Sequence, residues 1–490
     1  MTRPKAIVIG GGLGGLSIAL RLVVRNWEVT VYEKGATMGG KMNSWSQKNF
    51  TFDTGPSLIT MPWIFSELFE SVGEHINDYL LLQLAEPLAH YVFDDGFHFQ
   101  VSAYMPQWLK TLKEIEPQGE QHFLEFMHLG ARLFNLSLHT FFRRSPLDPP
   151  DIETFSALKH MPFRHAWGRY DRTIYKFFRS PYLRRMYERF PTYVGSSPYR
   201  IPATLTLIPF LEHAFGGWYV KGGLYGIIKS LEALLQKRGV LLHTGRRVHR
   251  IISNDGRIMG IELEDGSFHG SNVVIMNGDA SLARVLLGEY GAAPLPESDR
   301  SLSGFIMLIG VKRRLPELAH HTVYFSADYR EEFSELFDRR RFPEDPTVYV
   351  SMPSKSDRTV APHDGETLFI MANAPANDSD DWNEQEISSA RRLVFQRLHR
   401  GGFPDIDRDT VVSTVWTPRK IQESYDMPGG AIYGTHSHGW RKAFLRPFNK
   451  DRRHQGLYYV GGSTHPGGGT PTVLMSAQIT SELIKKYEGT

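Results

Sequence analysis

One stretch near the N-terminus, Ala6–Lys41, reads AIVIGGGLGGLSIALRLVVRNWEVTVYEKGATMGGK. Its β-branched run Ala6–Ile9 predicts a buried parallel strand, and Val29–Tyr32 predicts a second one. Between them, Gly10–Gly15 has the pattern GxGxxG and precedes apolar residues at helical spacing. In a strand–helix–strand unit such glycines allow a tight turn, approach of a pyrophosphate, and close packing of helix on strand. The stretch predicts a dinucleotide site; the alternative is a glycine-rich turn in an unrelated α/β sheet.

The residues after the second strand indicate which dinucleotide binds. Glu33 lies 18 residues after Gly15, where a carboxylate can accept hydrogen bonds from both ribose hydroxyls and would repel the 2′-phosphate of NADP. Gly39, Gly40 and Lys41 extend the motif beyond what a nicotinamide cofactor needs, which favours a longer, extended cofactor, FAD. Lys41 could alternatively be an ordinary solvated lysine after a turn.

A second glycine-rich loop lies near the C-terminus, in GLYYVGGSTHPGGGTPTVLMSAQITSELI, Gly456–Ile484. Leu457–Val460 predicts a strand, and a terminal helix follows the loop; its first N–H groups, near Thr472 and Val473, could face the flavin ring. The two loops predict one ligand bound at both ends of the chain, unless the second is only a turn. The cofactor contacts expected from the two segments are Gly10, Gly12, Leu13, Gly14, Gly15, Glu33, Lys34, Gly40, Lys41, Gly461, Gly462, Thr472 and Val473.

Composition limits the remaining possibilities. The 490 residues allow two or three domains, and a net charge of +3 gives no argument for nucleic acid. No cysteine is present, which excludes disulfides, thiolate metal sites and a cysteine nucleophile. No secretory signal and no apolar run near the roughly 20 residues of a membrane span are recognisable, so we expect a cytoplasmic protein. The histidine pairs His320-His321 and His436-x-His438 lack supporting carboxylates, and we expect no metal.

Four further segments carry a family resemblance. They are FDTGPSLIT (Phe52–Thr60), GGLYGIIKSLEALLQKRGV (Gly222–Val240), NGDAS (Asn277–Ser281) and LAHHTVYFSADYREEFSELF (Leu318–Phe337). With the two loops, they resemble the phytoene-desaturase type of carotenoid desaturase from bacteria and fungi over most of the chain. TYVGSSPYRIPATL, Thr192–Leu205, is similar to the branch that acts on hydroxylated or already unsaturated carotenoids, the hydroxycarotenoid 3,4-desaturases. Gly278 departs from the family, which usually has alanine there.

The resemblance implies a fold and additional contacts. It implies non-covalent, extended FAD in an α/β fold shared with amine oxidases, and adds Gly55, Pro56, Ser57, Val248 and Asp279 as cofactor contacts. The implied domains are a discontinuous Rossmann-like FAD-binding domain (1–75, 222–285 and 445–490), a mixed-sheet substrate-binding domain (76–100, 198–221 and 286–444) and a helical subdomain (101–197).

The implied activity is FAD-dependent desaturation of a carotenoid or apocarotenoid, phytoene-like or hydroxylated, in a long apolar tunnel. Flavin N5 accepts a hydride in this chemistry, and a proton is lost from the neighbouring carbon. Two alternatives remain: a flavin amine oxidase, and a non-enzymatic prenyl-binding escort protein resembling the Rab GDP-dissociation inhibitors. Oligomeric state is not indicated.

The helical region carries a basic, aromatic segment that suggests membrane contact. An aromatic stripe, Trp167, Tyr170, Ile174, Phe177 and Phe178, accompanies the basic residues of 164–189. Aromatic and cationic faces suit an interfacial helix on anionic lipid, here the inner face of the cell membrane. The alternative is a core-packed helix with a solvated basic face. The basic residues are Arg164, Arg169, Arg172, Lys176, Arg179, Arg184, Arg185 and Arg189.

Three residues are candidates for a catalytic role. Glu212 and His213 lie in LIPFLEHAFGGWYVKGG, which we expect to border the tunnel, and either could take the proton. Lys221 could stabilise reduced, anionic flavin. The alternative for Glu212 is a structural ion pair or a helix-end residue.

Overall fold

A five-stranded parallel sheet brings the two ends of the chain together in the computed structural model, which describes residues 3–149, 156, 168–378 and 382–489. Each strand is short and mostly buried, as parallel sheets covered on both faces require. The strand order across the sheet is Leu457–Tyr459, Val273–Met276, Lys5–Ile9, Glu28–Tyr32 and Leu241–His243.

Three helices cover this sheet and tie the termini to each other. They are Leu13–Val23, Tyr225–Lys237 and Thr470–Glu488. Arg25, just beyond the first, donates from Nη1 to the Ser481 carbonyl at 2.8 Å. The carboxyl ends of the central strands therefore meet the two glycine loops at one edge of the sheet, where ligands of open α/β folds bind.

A seven-stranded mixed sheet faces that edge. Adjacent strands of this sheet are antiparallel, except that Ala89–Val92 runs parallel to His321–Tyr324. The order is Thr410–Trp416, Ser303–Val311, Glu366–Ala374, Val348–Ser351, His321–Tyr324, Ala89–Val92 and His98–Val101. The last three strands, like Val348–Ser351, have only four residues each.

Smaller sheets and helices complete the described chain. The smaller sheets are Val248–Asn254 with Arg257–Leu263 and Phe268–Gly270, Ser44–Gln47 with Phe50–Asp53, and Leu82–Leu84 with Trp218–Val220. The other α-helices are Pro62–Glu70, Met105–Ile115, Gly119–Ser137, Tyr170–Phe177, Pro181–Glu188, Leu207–Phe215, Leu282–Leu286, Tyr329–Ser334, Glu384–Arg400, Pro418–Tyr425 and Gly439–Phe444. None of the helices in the described residues is long and apolar enough to cross a bilayer.

The aromatic stripe of the basic segment packs inward. Tyr170, Ile174, Phe177 and Phe178 are buried among other helices, so they cannot insert into a lipid surface. Arg172, Lys176 and Arg179 are exposed, so this region has the core-packed aromatic face and solvated basic face of the alternative given above. Arg189, in contrast, is buried. Arg164 and Trp167, which also belonged to the prediction, lie outside the described residues.

Candidate functional site

A cavity of about 1120 Å³ lies between the parallel sheet and the seven-stranded sheet. Every cofactor contact expected from the sequence lines it, with the exception of Gly15. Leu13, Lys34, Gly40 and Val248 come from four separate segments, which shows how the fold gathers distant positions around one space. The same cavity continues along apolar residues of the region 205–211.

The first glycine loop is packed so tightly that side chains are excluded. A Cβ at Gly15 would lie 2.1 Å from the Gly10 carbonyl oxygen, which explains why Gly15 supports the loop without lining the cavity. A Cβ at Gly14 would lie 2.6 Å from Oδ1 of Asn277. The Asn277 amide in turn donates to the Gly10 carbonyl at 2.9 Å. Asn277, which was not among the expected contacts, thus holds the loop from the neighbouring strand.

Glu33 is oriented by the backbone on both sides. Its Oε2 accepts from the Gly11 N–H at 2.8 Å and its Oε1 from the Gly35 N–H at 2.7 Å. Each carboxylate oxygen keeps a second lone pair for a hydroxyl group in the cavity. The position suits a ribose diol, as the spacing from the glycine loop predicts.

Asp279 presents an acceptor that the described protein does not use. Its Oδ1 accepts from the Ser281 N–H and hydroxyl at 3.0 and 2.6 Å, but its buried Oδ2 has no partner among the described residues. Lys41 donates from Nζ to the Ile432 carbonyl at 2.6 Å, and burial lowers its pKa to about 8. Burial likewise lowers the pKa of Arg446, to about 10. A cation-lined wall with an unpartnered acceptor fits the phosphates and hydroxyls of FAD.

The C-terminal loop differs from its prediction in one detail. The terminal helix begins at Thr470, earlier than expected, and the Val473 N–H is already bonded to the Gly469 carbonyl at 3.0 Å. Val473 therefore has no free N–H for a ligand. Thr472, in the first turn, retains one, because the first N–H groups of a helix lack intrahelical acceptors. Gly461 and Gly462 remain at the cavity wall.

The segment Gly55–Ser57 forms the boundary between the cofactor loops and the apolar region. Ser57 hydrogen bonds through its hydroxyl to the Tyr349 hydroxyl at 2.6 Å, and Tyr349 contacts Nδ1 of His321 at 2.6 Å. Asp53, just before this segment, accepts from the backbone N–H groups of Leu224 and Tyr225 at 2.9 and 3.2 Å. These bonds anchor the segment to the seven-stranded sheet and to the start of helix Tyr225–Lys237.

The expected catalytic residues are not brought together at the cavity. Lys221 is exposed and does not line it, so its position does not support contact with a flavin. His213 is buried against Trp108, with ring centroids 5.8 Å apart, and burial lowers its pKa to about 3. Glu212 is also buried, which raises its pKa, and its Oε2 accepts from the Tyr193 hydroxyl at 2.9 Å. Only Glu212 reaches the cavity, and it does so through Tyr193.

A buried arginine at the cavity wall was missed by the sequence reasoning. Arg189 was counted with the basic surface, yet it is only 8% exposed and lines the cavity. Its Nη2 donates to the hydroxyls of Tyr91 and Tyr193 at 3.1 and 2.9 Å. Charge counting along the segment could not distinguish it from its solvated neighbours, because burial depends on contacts distant in sequence.

No group of three or more His, Asp or Glu side chains within the described ranges could hold a metal ion. The candidate site is instead a two-part cavity. One part is a glycine-walled cradle with a diol-binding carboxylate, and the other is apolar.

Glycine loops of this kind at the edge of a parallel sheet are typical of Rossmann-type dinucleotide-binding proteins. The chain belongs to the family of flavin containing amine oxidoreductases, which it matches over residues 13–485. It is an FAD-dependent oxidoreductase, as the sequence predicted.

Curated relatives cover nearly the whole chain. The chain is 33% identical to the 4,4'-diapolycopene oxygenase of Methylomonas sp (98% of each chain) and 33% identical to the zeta-carotene-forming phytoene desaturase of Myxococcus xanthus (99% of this chain, 94% of that protein). It is 32% identical to the 1-hydroxycarotenoid 3,4-desaturase of Flavobacterium sp. strain P99-3 (98% and 99%). These names confirm the resemblance drawn from the sequence.

Solved structures agree on the fold alone. An oxidoreductase from Methanosarcina mazei matches with a TM-score of 0.66 at 17% identity, covering 98% of this chain and 100% of that one. Putrescine oxidase bound to putrescine matches with a TM-score of 0.62 at 13% identity, covering 99% of both chains. The mixed α/β flavoprotein fold is confirmed.

Proposed function

We propose that this protein is an FAD-dependent desaturase that introduces C=C bonds into an acyclic carotenoid or apocarotenoid. One observation carries the proposal: a single cavity is lined by the glycine cradle at one part and by Leu205, Leu207, Ile208 and Leu211 at another. Its volume of about 1120 Å³ exceeds the roughly 300–1,000 Å³ of ordinary ligand pockets. The names of the relatives support a polyene as the substrate.

The cofactor would be held by the residues that converge on the cradle. We assign the diol to Glu33, a hydroxyl to Asp279, and the pyrophosphate to the first glycine loop, whose N–H groups lie at a helix N-terminus. Val248, Lys34 and Lys41 also line the cavity. The proposed domains keep the division given above, with 1–75, 222–285 and 445–490 around FAD.

Bound FAD supplies a hydride acceptor for the carbon that is oxidised. The chain's own contribution is position and dryness: apolar walls align a substrate that offers no charge to bind, and they exclude water. For the proton lost from the neighbouring carbon, Glu212 is the proposed acceptor, through the Tyr193 hydroxyl that bonds to it. His213 and Lys221 are set aside, because among the described residues neither side chain lines the cavity or hydrogen bonds to a residue that does.

Membrane contact remains part of the proposal, on the inner face of the cell membrane. A polyene gains little free energy on moving from lipid to an apolar cavity, because neither environment is aqueous. The enzyme therefore depends more on access to the bilayer than on affinity for the polyene. The exposed cations Arg172, Lys176 and Arg179 could bind anionic lipid at about 1 kcal/mol each. Flotation with anionic vesicles should fall when all three are changed to Gln. It should persist when Arg391, Arg392 and Arg400 on another helix are changed.

The decisive experiment is anaerobic reduction of the purified yellow protein. Acyclic C30 and C40 polyenes should bleach the flavin absorbance and yield products with additional C=C bonds, identified by chromatography and mass. Oxygen-containing polyene products would indicate an oxygenase instead. Bleaching by amines alone would favour an amine oxidase, and a colourless protein that rejects FAD would favour the escort protein.

A further inference from the structure

Polar side chains cluster at one wall of the otherwise apolar part of the cavity. Arg189, Tyr193, Tyr329 and Tyr349 all line it. Tyr329 and Tyr349 lie near enough to Arg189 that its charge lowers the pKa of both hydroxyls, although burial raises each pKa more strongly. A hydrocarbon cannot hydrogen bond to these groups, and burying each of them beside it would cost desolvation free energy.

Hydrogen bonding within the cluster is incomplete. The guanidinium of Arg189 bonds from Nη2 alone, to Tyr91 and Tyr193, and its Nε has no acceptor among the described residues. The Tyr329 hydroxyl is likewise buried without a partner in the part of the chain described. Buried donors in native proteins nearly always have an acceptor. Neither atom is open to the cavity as the side chains stand, so a ligand oxygen would complete the cluster once Arg189 or Tyr329 rotates toward it.

The positive charge of Arg189 is balanced by the carboxylate of Glu212. Tyr193 accepts from Arg189 at 2.9 Å and donates to Glu212 at 2.9 Å, so the guanidinium is linked to a carboxylate through one hydroxyl. A second carboxylate, from a ligand, would bring a negative charge close to Glu212. The balance favours a neutral oxygen, such as a hydroxyl or carbonyl, over an acid.

The cluster also has a defined place along the cavity. Tyr349 bonds to Ser57, the residue that follows Gly55 and Pro56 at the boundary with the cofactor cradle. An oxygen held there would lie at the end of the substrate that enters deepest, toward the cofactor.

We propose that Arg189, Tyr193, Tyr329 and Tyr349 form a subsite for a neutral oxygen near one end of the polyene, so that the preferred substrate is an oxygenated acyclic polyene. This inference rests on the proposed desaturase function and specifies its substrate. A donor from a charged group to a bound oxygen should favour the hydroxylated substrate by about 10- to 100-fold.

The test compares three polyenes of equal length: a hydrocarbon, its terminal alcohol and its terminal carboxylic acid. Dissociation constants are measured by quenching of protein fluorescence, and kcat/KM by anaerobic flavin reduction. We expect the alcohol to be preferred by about 10- to 100-fold in both. Arg189→Met should abolish the preference. Because Arg189 also bonds to Tyr193, the proposed link to Glu212, its effect is judged from the ratio of the alcohol and hydrocarbon dissociation constants rather than from kcat/KM. Tyr329→Phe should weaken binding of the alcohol about 2- to 10-fold relative to the hydrocarbon.

Two variants keep the test interpretable. Tyr329→Phe removes a hydroxyl that has no partner among the described residues, so it should fold even if Arg189→Met does not. Tyr187→Phe removes a buried hydroxyl that contacts His213 at 3.3 Å outside the cavity lining, and it should not change the preference.

The outcomes separate the subsite from the reaction. Equal use of alcohol and hydrocarbon, or preference for the acid, overturns the subsite while leaving desaturation intact. Failure of all three polyenes to reduce the flavin refutes the proposed function, and a preference for the alcohol in binding would still support the subsite.

Discussion

Replacing Gly15 by alanine should damage the cofactor cradle without touching the cavity wall. The new Cβ would lie 2.1 Å from the Gly10 carbonyl oxygen and 2.9 Å from Nδ2 of Asn277. Neither neighbour can yield easily, because one is backbone and the other holds that same carbonyl. The loop must therefore shift by about 1 Å, since Cβ contacts shorter than 3.0 Å essentially never occur.

The cost follows from the two interactions that are disturbed. Overpacking destabilises a protein by about 1–3 kcal/mol, and straining the Asn277 hydrogen bond adds about 1 kcal/mol. We therefore expect the free energy of unfolding of the apoprotein to fall by about 2–4 kcal/mol. Flavin affinity should fall more than tenfold, because displaced backbone N–H groups no longer match the phosphates. Urea unfolding of the apoprotein and fluorescence titration with FAD measure the two effects separately.

Gly226→Ala is the matched control, since it is also a helical glycine outside the cavity lining. A Cβ there would meet Leu80 and Val220 at 3.5 Å, which is ordinary contact. The control should be neutral or up to about 1 kcal/mol more stable, because alanine favours helix. Our reasoning about the loop would be refuted if Gly15→Ala matched the control in both stability and flavin affinity.

Three further predictions concern single side chains. Glu33→Gln should weaken FAD binding about 10- to 100-fold, because one backbone donor loses its acceptor; Glu28→Gln, on the exposed side of the same strand, should have no effect in the same titration. His213→Phe should reduce acid sensitivity: burial lowers its pKa to about 3, so the unfolded state binds the proton first and stability falls as pH drops below 6.5. Between pH 7 and 5, the free energy of unfolding measured in urea should therefore fall by about 2 kcal/mol less in the variant than in the wild type. An equal fall in both proteins would contradict the lowered pKa of His213. Asp53→Asn should act in the opposite direction: burial raises its pKa to about 6, so the wild type loses stability as pH rises from 3.8 to 6, and the variant should lose less over that range.

Local patterns identified the cofactor half of the site. The strand, glycine loop and helix at each end occupy adjacent residues, so their spacing is visible in the chain, and nearly all the expected contacts line the cavity. Small errors arose where a boundary depends on backbone bonding, as at Val473, whose N–H the helix uses because it begins at Thr470.

The substrate half was decided by the tertiary structure. In the sequence, Arg189 cannot be distinguished from the solvated basic residues around it. Lys221 and Glu212 lie in one short stretch, so the sequence favours neither as a residue of the site. Packing of the helices against the seven-stranded sheet buries Arg189 beside Tyr91 and Tyr193 and leaves Lys221 in solvent. The sequence alone determined that a dinucleotide is bound, because that requires only a glycine loop and an acid at fixed spacing. Which polar groups face the substrate was decided only by long-range contacts, because burial depends on segments far apart in sequence.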